Sequence, residues 1–310
     1  MLQKIYIIGH KSPDLDSVAA AVSYADFKNK QENTDAYVPA TTEDINQVTK
    51  FVLDKFNFQA PEILKDAENK KIILVDHNEF SQTLEGVDKA EIVEILDHHK
   101  LNFKYDQPIV VNIKPWGATC SILAQMYFDN NIDIDKNLAG LMLSAILDDT
   151  LITKSPTCTG KDKELIEKLA RPTDVSDWQA YGFEMFKIKS SVKDFTDLEI
   201  IKNDFKDFDF KAGKFGIGQV ETVDLSEFDA REQDLLEAMR KMQSQENYHS
   251  IILFLTDIIN EGSRFLVISN NAEKVGEALG QKLENNKTYI PGIMSRKKQV
   301  VPLIAKVFDK

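Results

Sequence analysis

The sequence is poor in the residues and patterns that mark several large function classes. Only two of its 310 residues are cysteines, Cys120 and Cys158. Far apart and in no CxxC spacing, they offer neither a disulfide framework nor a thiolate zinc site. Positive charge is in deficit, with 38 Lys and Arg against 50 Asp and Glu and a formal net charge of −12. Such a field repels nucleic acid and anionic membranes, so an anionic substrate must be held by a local cation cluster or by metal. Long apolar runs are missing as well. The longest, Ile251 to Leu255, is far short of the ~18 residues a membrane helix needs. The short stretch Ile5 to Ile8 gives way to Gly9, His10 and carboxylates, which is not the pattern of a signal peptide. A reducing cytoplasm is the expected address. Phosphate-loop and hydrolase grammar is thin too: Gly216-Ile-Gly218 lacks the third glycine of a dinucleotide fingerprint, and no Walker loop, HExxH or GxSxG occurs.

What is present is a repeated alternation of strand and helix. The length predicts about two domains, and a 43% apolar composition can fill a core in each. Apolar runs end at Gly9, at Asp76 (Lys71-Ile-Ile-Leu-Val-Asp76) and at Asp97 (Ile92-Val-Glu-Ile-Leu-Asp97), with a further strand expected at Ile109 to Ile113. Between and after them lie helical spacings at Ser17 to Lys28, Ala118 to Phe128 and Lys136 to Leu147, then the turn-rich Lys154 to Gly160. Continuous apolar strands separated by helices predict an α/β fold with a parallel sheet. The apolar period fades at Lys187-Ile-Lys-Ser-Ser-Val-Lys193, which predicts a first domain over 1–188, a hinge over 189–194 and a second domain over 195–310. That second, smaller α/β domain is expected to hold strands at Phe215 to Val223, Ser250 to Thr256, Arg264 to Ile268 and Gln299 to Ile304. Its helices are expected at Phe228 to Gln245 and Glu273 to Leu283. In Ile201 to Lys211 charges alternate with Phe, as on a half-exposed surface.

Four of the five histidines, His10, His77, His98 and His99, lie at or just after strand ends, each near an aspartate. In an open parallel sheet those ends converge on one crevice. They deliver His10 with Asp14 and Asp16, Asp76 with His77, and Asp97 with His98 and His99. Asp14 and Asp16 are two apart, so extended backbone would project them to one side. Several carboxylates in one dry crevice repel each other and take up protons unless cations resolve the conflict. Imidazole plus carboxylate without thiolate suits Mn²⁺, Co²⁺, Zn²⁺ or Mg²⁺, and there are more donors than one ion needs. Two ions sharing a carboxylate are the natural inference. A fourth acidic pair, Asp148-Asp149, closes the helix at Leu141 to Leu147, where the dipole is already negative and asks for a cation. Ser295-Arg296-Lys297-Lys298 offers cations for an anionic ligand, Arg as a planar fork and Lys as a point charge. His249, alone beside Tyr248, reads as structural.

Together, Gly9-His10-Lys-Ser-Pro-Asp14-Leu-Asp16-Ser17, Val75-Asp76-His77-Asn78-Glu79, Asp97-His98-His99, Ser144-Ala-Ile-Leu-Asp148-Asp149-Thr150, Lys154-Ser-Pro-Thr157 and Ser295-Arg296-Lys297-Lys298-Gln299 resemble the family II, manganese-dependent inorganic pyrophosphatases of the DHH phosphoesterase superfamily. The resemblance runs nearly end to end. It implies a DHH domain followed by a DHHA2-like domain, with the active site in the cleft between them and closing over substrate. It also implies hydrolysis of pyrophosphate to two phosphates through a metal-bridging hydroxide, with two Mn²⁺ per subunit and Co²⁺ or Mg²⁺ as possible substitutes. One ion would be bound by His10, Asp14 and Asp76, and a second by Asp16, Asp76, His98 and Asp149. His99 would assist proton transfer, with Asp97 behind it, and Lys214, Arg296 and Lys297 would clamp the substrate. A homodimer is implied as well. Two positions depart from the family pattern: Asp148 stands where Ser is usual, and Lys114-Pro-Trp116-Gly117 where an acidic-Pro-Val-Gly run is usual. The alternatives are an exopolyphosphatase or another DHH-type phosphoesterase; the Gly-Gly-Gly-His signature of the nucleotide-acting members is lacking. A non-catalytic metal or phosphate sensor is the alternative from another class, and all the implied ligands are intact against it.

Overall fold

The computed structural model describes residues 3–193 and 195–309. They divide into two compact units, Met1–Met185 and Phe186–Lys310.

In chain order the first unit holds β1 (Ile5–Ile8), α1 (Leu15–Glu32), β2 (Tyr37–Thr41), α2 (Gln47–Lys55), β3 (Glu62–Ile63), β4 (Lys71–Val75), β5 (Glu91–Asp97), β6 (Val110–Ile113), α3 (Thr119–Asp129), α4 (Lys136–Asp149) and α5 (Gly160–Ala170). α6 (Trp178–Lys189) then carries the chain across the division. All six strands run parallel in the order β3-β2-β1-β4-β5-β6. The connections proceed outward from β1 in one direction and from β4 in the other. The topological switch point therefore lies between β1 and β4, where strand ends open a crevice for ligand. Buried on both faces, these strands need apolar residues at every position: Ile7, Ile8, Ile72, Ile73, Leu74, Ile95 and Leu96 are all sealed from solvent. Ile8, Ile72, Leu74 and Ile95 pack with Leu84 and Val87 from the connection between β4 and β5.

The second unit holds α7 (Asp197–Lys202), β7 (Phe205–Phe210), β8 (Gly213–Thr222), α8 (Glu232–Gln245), β9 (Ser250–Asp257), β10 (Gly262–Ser269), α9 (Ala272–Leu279), β11 (Lys287–Pro291) and α10 (Val301–Phe308). Its sheet, β11-β10-β9-β8-β7, is mixed, with only β8 and β9 parallel. The unbroken apolar run of β9 follows from a sheet covered on both sides. Ile251, Leu253 and Leu255 pack with Leu235, Leu236 and Met239 of α8, while Ile252 and Phe254 pack with Val275 of α9 and with Ile304 and Phe308 of α10.

Four expectations are corrected. The expected strand Gln299 to Ile304 is helical: a π-type turn over Arg296–Val300 runs into α10, which carries Pro at its start. Pro cannot donate to a ladder but suits the first turn of a helix, so the apolar run here is a buried helix face. The expected helix Phe228 to Gln245 begins as a 3₁₀ segment, Leu225–Arg231, before α8. The helix expected to reach Leu283 stops at Leu279, capped by left-handed Gly280. Ile201 to Lys211 contains an edge strand, β7, so Lys214 opens the second strand of its sheet and not the first. Apart from these, α6 runs to Lys189, the first residue of the expected hinge; Asp194 lies outside the described residues. Among the described residues no helix is long and apolar enough to cross a membrane.

Candidate metal centre

The residues at the switch point are placed by local rules. Gly9 closes β1 and lies against Ser17, where a Cβ would fall 1.7 Å from the Ser17 hydroxyl. Glycine is required for that approach, which lets the His10 N–H donate to Ser17 Oγ at 3.1 Å. Asp14 is the N-cap of α1, accepting from the Ser17 N–H at 2.9 Å, and Asp16 stands in the first helical turn. The two carboxylates therefore meet the site from a cap and a helix, not from one extended segment as expected. Asp76 follows β4 with φ +62°, a left-handed conformation disfavoured for a side chain and held because its N–H still donates to Leu96 at 3.0 Å.

The structure brings all six expected ligands together. His10 Nε2 lies 3.4 Å from Asp14 Oδ2 and 3.5 Å from Asp76 Oδ2. His98 Nε2 lies 3.3 Å from Asp76 Oδ1 and 3.6 Å from Asp149 Oδ2. Two donor groups result, His10–Asp14–Asp76 and Asp16–Asp76–His98–Asp149, with the atoms within each no more than 4.8 Å apart. The helix α4 ends at Asp149, and it is this carboxylate that joins the second group. All of these residues but Asp16 line a cavity of about 390 Å³ that also takes in His77, Asn78, Gln82, His99 and Lys100.

This arrangement fits divalent cations on several grounds. Nδ1 of His10 lies 2.7 Å from the Lys11 carbonyl and Nδ1 of His98 lies 3.0 Å from the Trp116 carbonyl. A carbonyl only accepts, so both Nδ1 atoms carry hydrogen and both Nε2 atoms are left to the carboxylates or to a metal. Burial alone would lower the His10 pKa, but bonds to Asp14 and Asp76 carry it up to about 11. The same opposition, with Asp76 as the main partner, lifts His98 to about 9. Burial and the charge of Asp76 raise Asp16, and burial with the charges of Asp16 and Asp76 raises Asp149 well above the carboxylate range. Burial pushes Asp76 upward too, yet its bonds from both histidines hold it well down. Protons thus supply the positive charge this cluster requires, and divalent cations bound by neutral imidazole and carboxylate would displace them.

Other groups support the cluster. Asp97, fully buried, accepts from the backbone N–H of His99 at 3.0 Å and faces His99 Nδ1 at 2.9 Å. Its own pKa is held down, since bonds from His99 and Asn78 outweigh burial, and the bond to Asp97 raises His99. Sequence reasoning named Asn78 without giving it a task; its amide donates to Asp97 Oδ2 at 2.6 Å. It also missed Thr119, whose hydroxyl donates to Asp76 Oδ1 at 3.0 Å. His77 is buried with Nδ1 against the Val75 carbonyl at 2.9 Å, and among the described residues its Nε2 has no hydrogen-bond partner.

The expected substrate cations belong to the second unit. Lys214 Nζ lies 3.0 Å from Asp207 Oδ2 and 4.0 Å over the Tyr248 ring. Arg296 is buried, its guanidinium donating to the Asp204 carbonyl, to Asp204 Oδ1 at 2.7 Å and to the Ile217 carbonyl at 3.4 Å. Lys297 is exposed. His249 stacks on Phe215 at 4.9 Å between ring centroids, in keeping with its structural reading.

An Asp/His cluster at the switch point of a six-stranded parallel sheet, with a mixed-sheet domain after it, defines a DHH-type protein. The chain matches the DHH family N-terminal domain over residues 4–146 and the DHHA2 domain over residues 183–307. It is 45% identical to the manganese-dependent inorganic pyrophosphatase of Methanothrix thermoacetophila, with 100% of both chains covered. Identity to the manganese-dependent inorganic pyrophosphatase of Bacillus subtilis is 38%, over 98% of each chain. A crystal structure from Methanococcus jannaschii attributed to a family II inorganic pyrophosphatase aligns with TM-score 0.63 and 40% identity, covering 98% of this chain and 99% of that one. The chain belongs to the manganese-dependent, family II inorganic pyrophosphatases.

Proposed function

We propose that this protein hydrolyses inorganic pyrophosphate to two phosphates at a site holding two manganese ions, one with His10, Asp14 and Asp76 and one with Asp16, Asp76, His98 and Asp149. The observation that carries the two-ion reading is the division of labour within Asp76. Its Oδ2 faces His10 and its Oδ1 faces His98, so one almost fully buried carboxylate serves both donor groups. Manganese bound there supplies Lewis acidity, which offsets the charge on phosphate oxygens and makes water acidic enough to attack near neutral pH. The chain's own residues do the rest. The left-handed backbone at Asp76 and the carbonyls of Lys11 and Trp116 fix carboxylate and imidazoles before ligand arrives. His99 keeps its Nδ1 hydrogen toward Asp97, and that bond raises its pKa and so favours the charged ring, the form that can deliver a proton from Nε2 to a departing phosphate oxygen. Lys214, Arg296 and Lys297 are the cations assigned to the phosphate oxygens.

Phosphate release from pyrophosphate and from tripolyphosphate, measured side by side under Mn²⁺, Co²⁺ and Mg²⁺, tests the reading. Preference for pyrophosphate is expected; faster turnover of the longer chain identifies a polyphosphatase, and no turnover with any ion identifies a sensor. We also propose a homodimer, for which β6 is the supporting feature: this edge strand leaves Val110 59% and Val111 44% exposed. Sedimentation equilibrium giving only monomer would dismiss it.

A further inference from the structure

A single segment, Trp116 to Cys120, touches three of the four residues of the second donor group and the chain neighbour of the fourth, and one buried carboxylate outside the cluster anchors it. The Trp116 carbonyl accepts from His98 Nδ1. The backbone N–H groups of Thr119 and Cys120 donate to Asp16 Oδ2 at 2.6 Å and Oδ1 at 3.0 Å. The Thr119 hydroxyl reaches Asp76 Oδ1. Gly117 lies against Thr150, the residue after Asp149, so closely that a Cβ would fall 2.6 Å from its methyl group.

The geometry of α3 explains the Asp16 contacts. Ala118, its N-cap, has no side chain able to accept, so the free N–H groups of the first turn take the Asp16 carboxylate instead. Any shift of this helix start therefore moves Asp16.

What fixes the helix start is Asp162, fully buried in the first turn of α5. Its Oδ2 accepts from the Gly117 N–H at 3.0 Å, from the Thr159 N–H at 2.7 Å and from the Thr159 hydroxyl at 2.6 Å. Its Oδ1 accepts from Ser121 Oγ at 2.6 Å. Gly117 and Ser121 flank the residues that hold Asp16 and Asp76. Among the described residues Asp162 makes no ion pair, so its charge is balanced only by these four donors and by the helix start it caps. A buried carboxylate with every acceptor committed cannot drift without losing bonds that water does not replace. Among the described residues the first donor group has no comparable tie: of His10, Asp14 and Asp76, only Asp76 is reached from this segment, and through Oδ1, the oxygen that faces His98.

We propose that Asp162 is a positioning residue for the second metal alone, acting through Gly117, Ser121 and the start of α3. This rests on the two-ion reading above and assigns to one of its sites a support the other lacks. The test is manganese titration of the metal-stripped full chain, with free ion read by electron paramagnetic resonance, for wild type and Asp162→Asn. In wild type, two ions bind. In the variant one ion binds within about threefold of wild type while the other weakens about 10- to 100-fold, the range seen when outer support of a metal ligand is lost. Crystals of the variant at limiting manganese then show anomalous density beside His10 and Asp14 only. Equal weakening of both ions, as general loosening of the fold would give, or no weakening of either, overturns the proposal and leaves the two-ion reading intact. A wild type that binds one ion overturns both. If Asp162→Asn does not fold, Ser121→Ala, which removes a single donor from Oδ1, must show the same asymmetry at several-fold; an even shift there overturns the proposal equally.

Discussion

Removing manganese should lower the stability of one half of this molecule and spare the other. Every proposed ligand, from His10 to Asp149, lies within Met1–Met185 and none within Phe186–Lys310. A ligand that binds only the folded state stabilises it by about 2.7 kcal/mol at a concentration 100 times its dissociation constant. Two such sites therefore contribute about 5 kcal/mol. A domain of 150–250 residues gains roughly 2–4 °C in Tm per kcal/mol, so the first unit should melt about 10–20 °C higher with manganese than in chelator. Differential scanning calorimetry of stripped protein, titrated with Mn²⁺, measures this directly. The low-temperature transition of the stripped protein should climb through two equivalents while the transition of the second unit stays within about a degree. A scan in which manganese moves the second unit as far as the first, or moves neither, would refute the reasoning, because it would detach the stabilisation from these residues.

Other outcomes follow from the same structure. In the stripped protein His10 and His98, raised to about 11 and about 9 from 6.5, stabilise the fold fully below their unfolded pKa and lose that contribution as pH climbs through the raised values. The raised carboxyls of Asp16 and Asp149 act in the same direction, so the stripped protein should melt lower at pH 9 than at pH 6.5; a rise in Tm over that interval would contradict the cluster. Manganese should bind more tightly over the same rise, since its binding displaces protons; calorimetry in buffers of different ionisation enthalpy reads the protons released. His98→Ala should cost more than about 100-fold in kcat with the circular dichroism unchanged, because loss of a ligand exceeds the usual effect of losing its outer support. Arg296→Ala should destabilise the second unit by about 2 kcal/mol through its bonds to Asp204, whereas Lys297→Ala should raise KM and leave Tm in place. An Arg296→Ala protein with unaltered melting would remove the structural half of that claim.

The site was legible in the sequence because its logic is local. Each strand that feeds the crevice ends in its own Asp or His, and chain order alone places Gly9-His10, Asp76-His77 and Asp97-His98-His99 at carboxyl ends. The start of α1 was less legible: the two-apart spacing of Asp14 and Asp16 suggests extended backbone, where Asp14 is a cap and Asp16 lies in the helix. What escaped depends on distant partners. Thr119 and Asp162 reach the site through contacts 43 and 45 residues apart in sequence, to Asp76 and Gly117, and no periodicity encodes those. The Thr159-x-x-Asp162 capping box marks a helix start without saying what else the carboxylate holds. In the second unit the apolar run ahead of Ile304 is too short to show a period that separates strand from buried helix, and Pro302, in the first turn of α10, is the residue that distinguishes them. β2 escaped notice, being short and interrupted by Pro39, and it forms because β1 pairs with it along its length.

Two sets of donors drawn around the two oxygens of Asp76 are the claim on which the chemistry depends. Diffraction from crystals grown with manganese, recorded at the manganese absorption edge, should give two anomalous peaks about 3.5–4 Å apart on either side of that carboxylate, one beside His10 and one beside His98. A single peak, or a pair that leaves Asp76 uncoordinated, would contradict it.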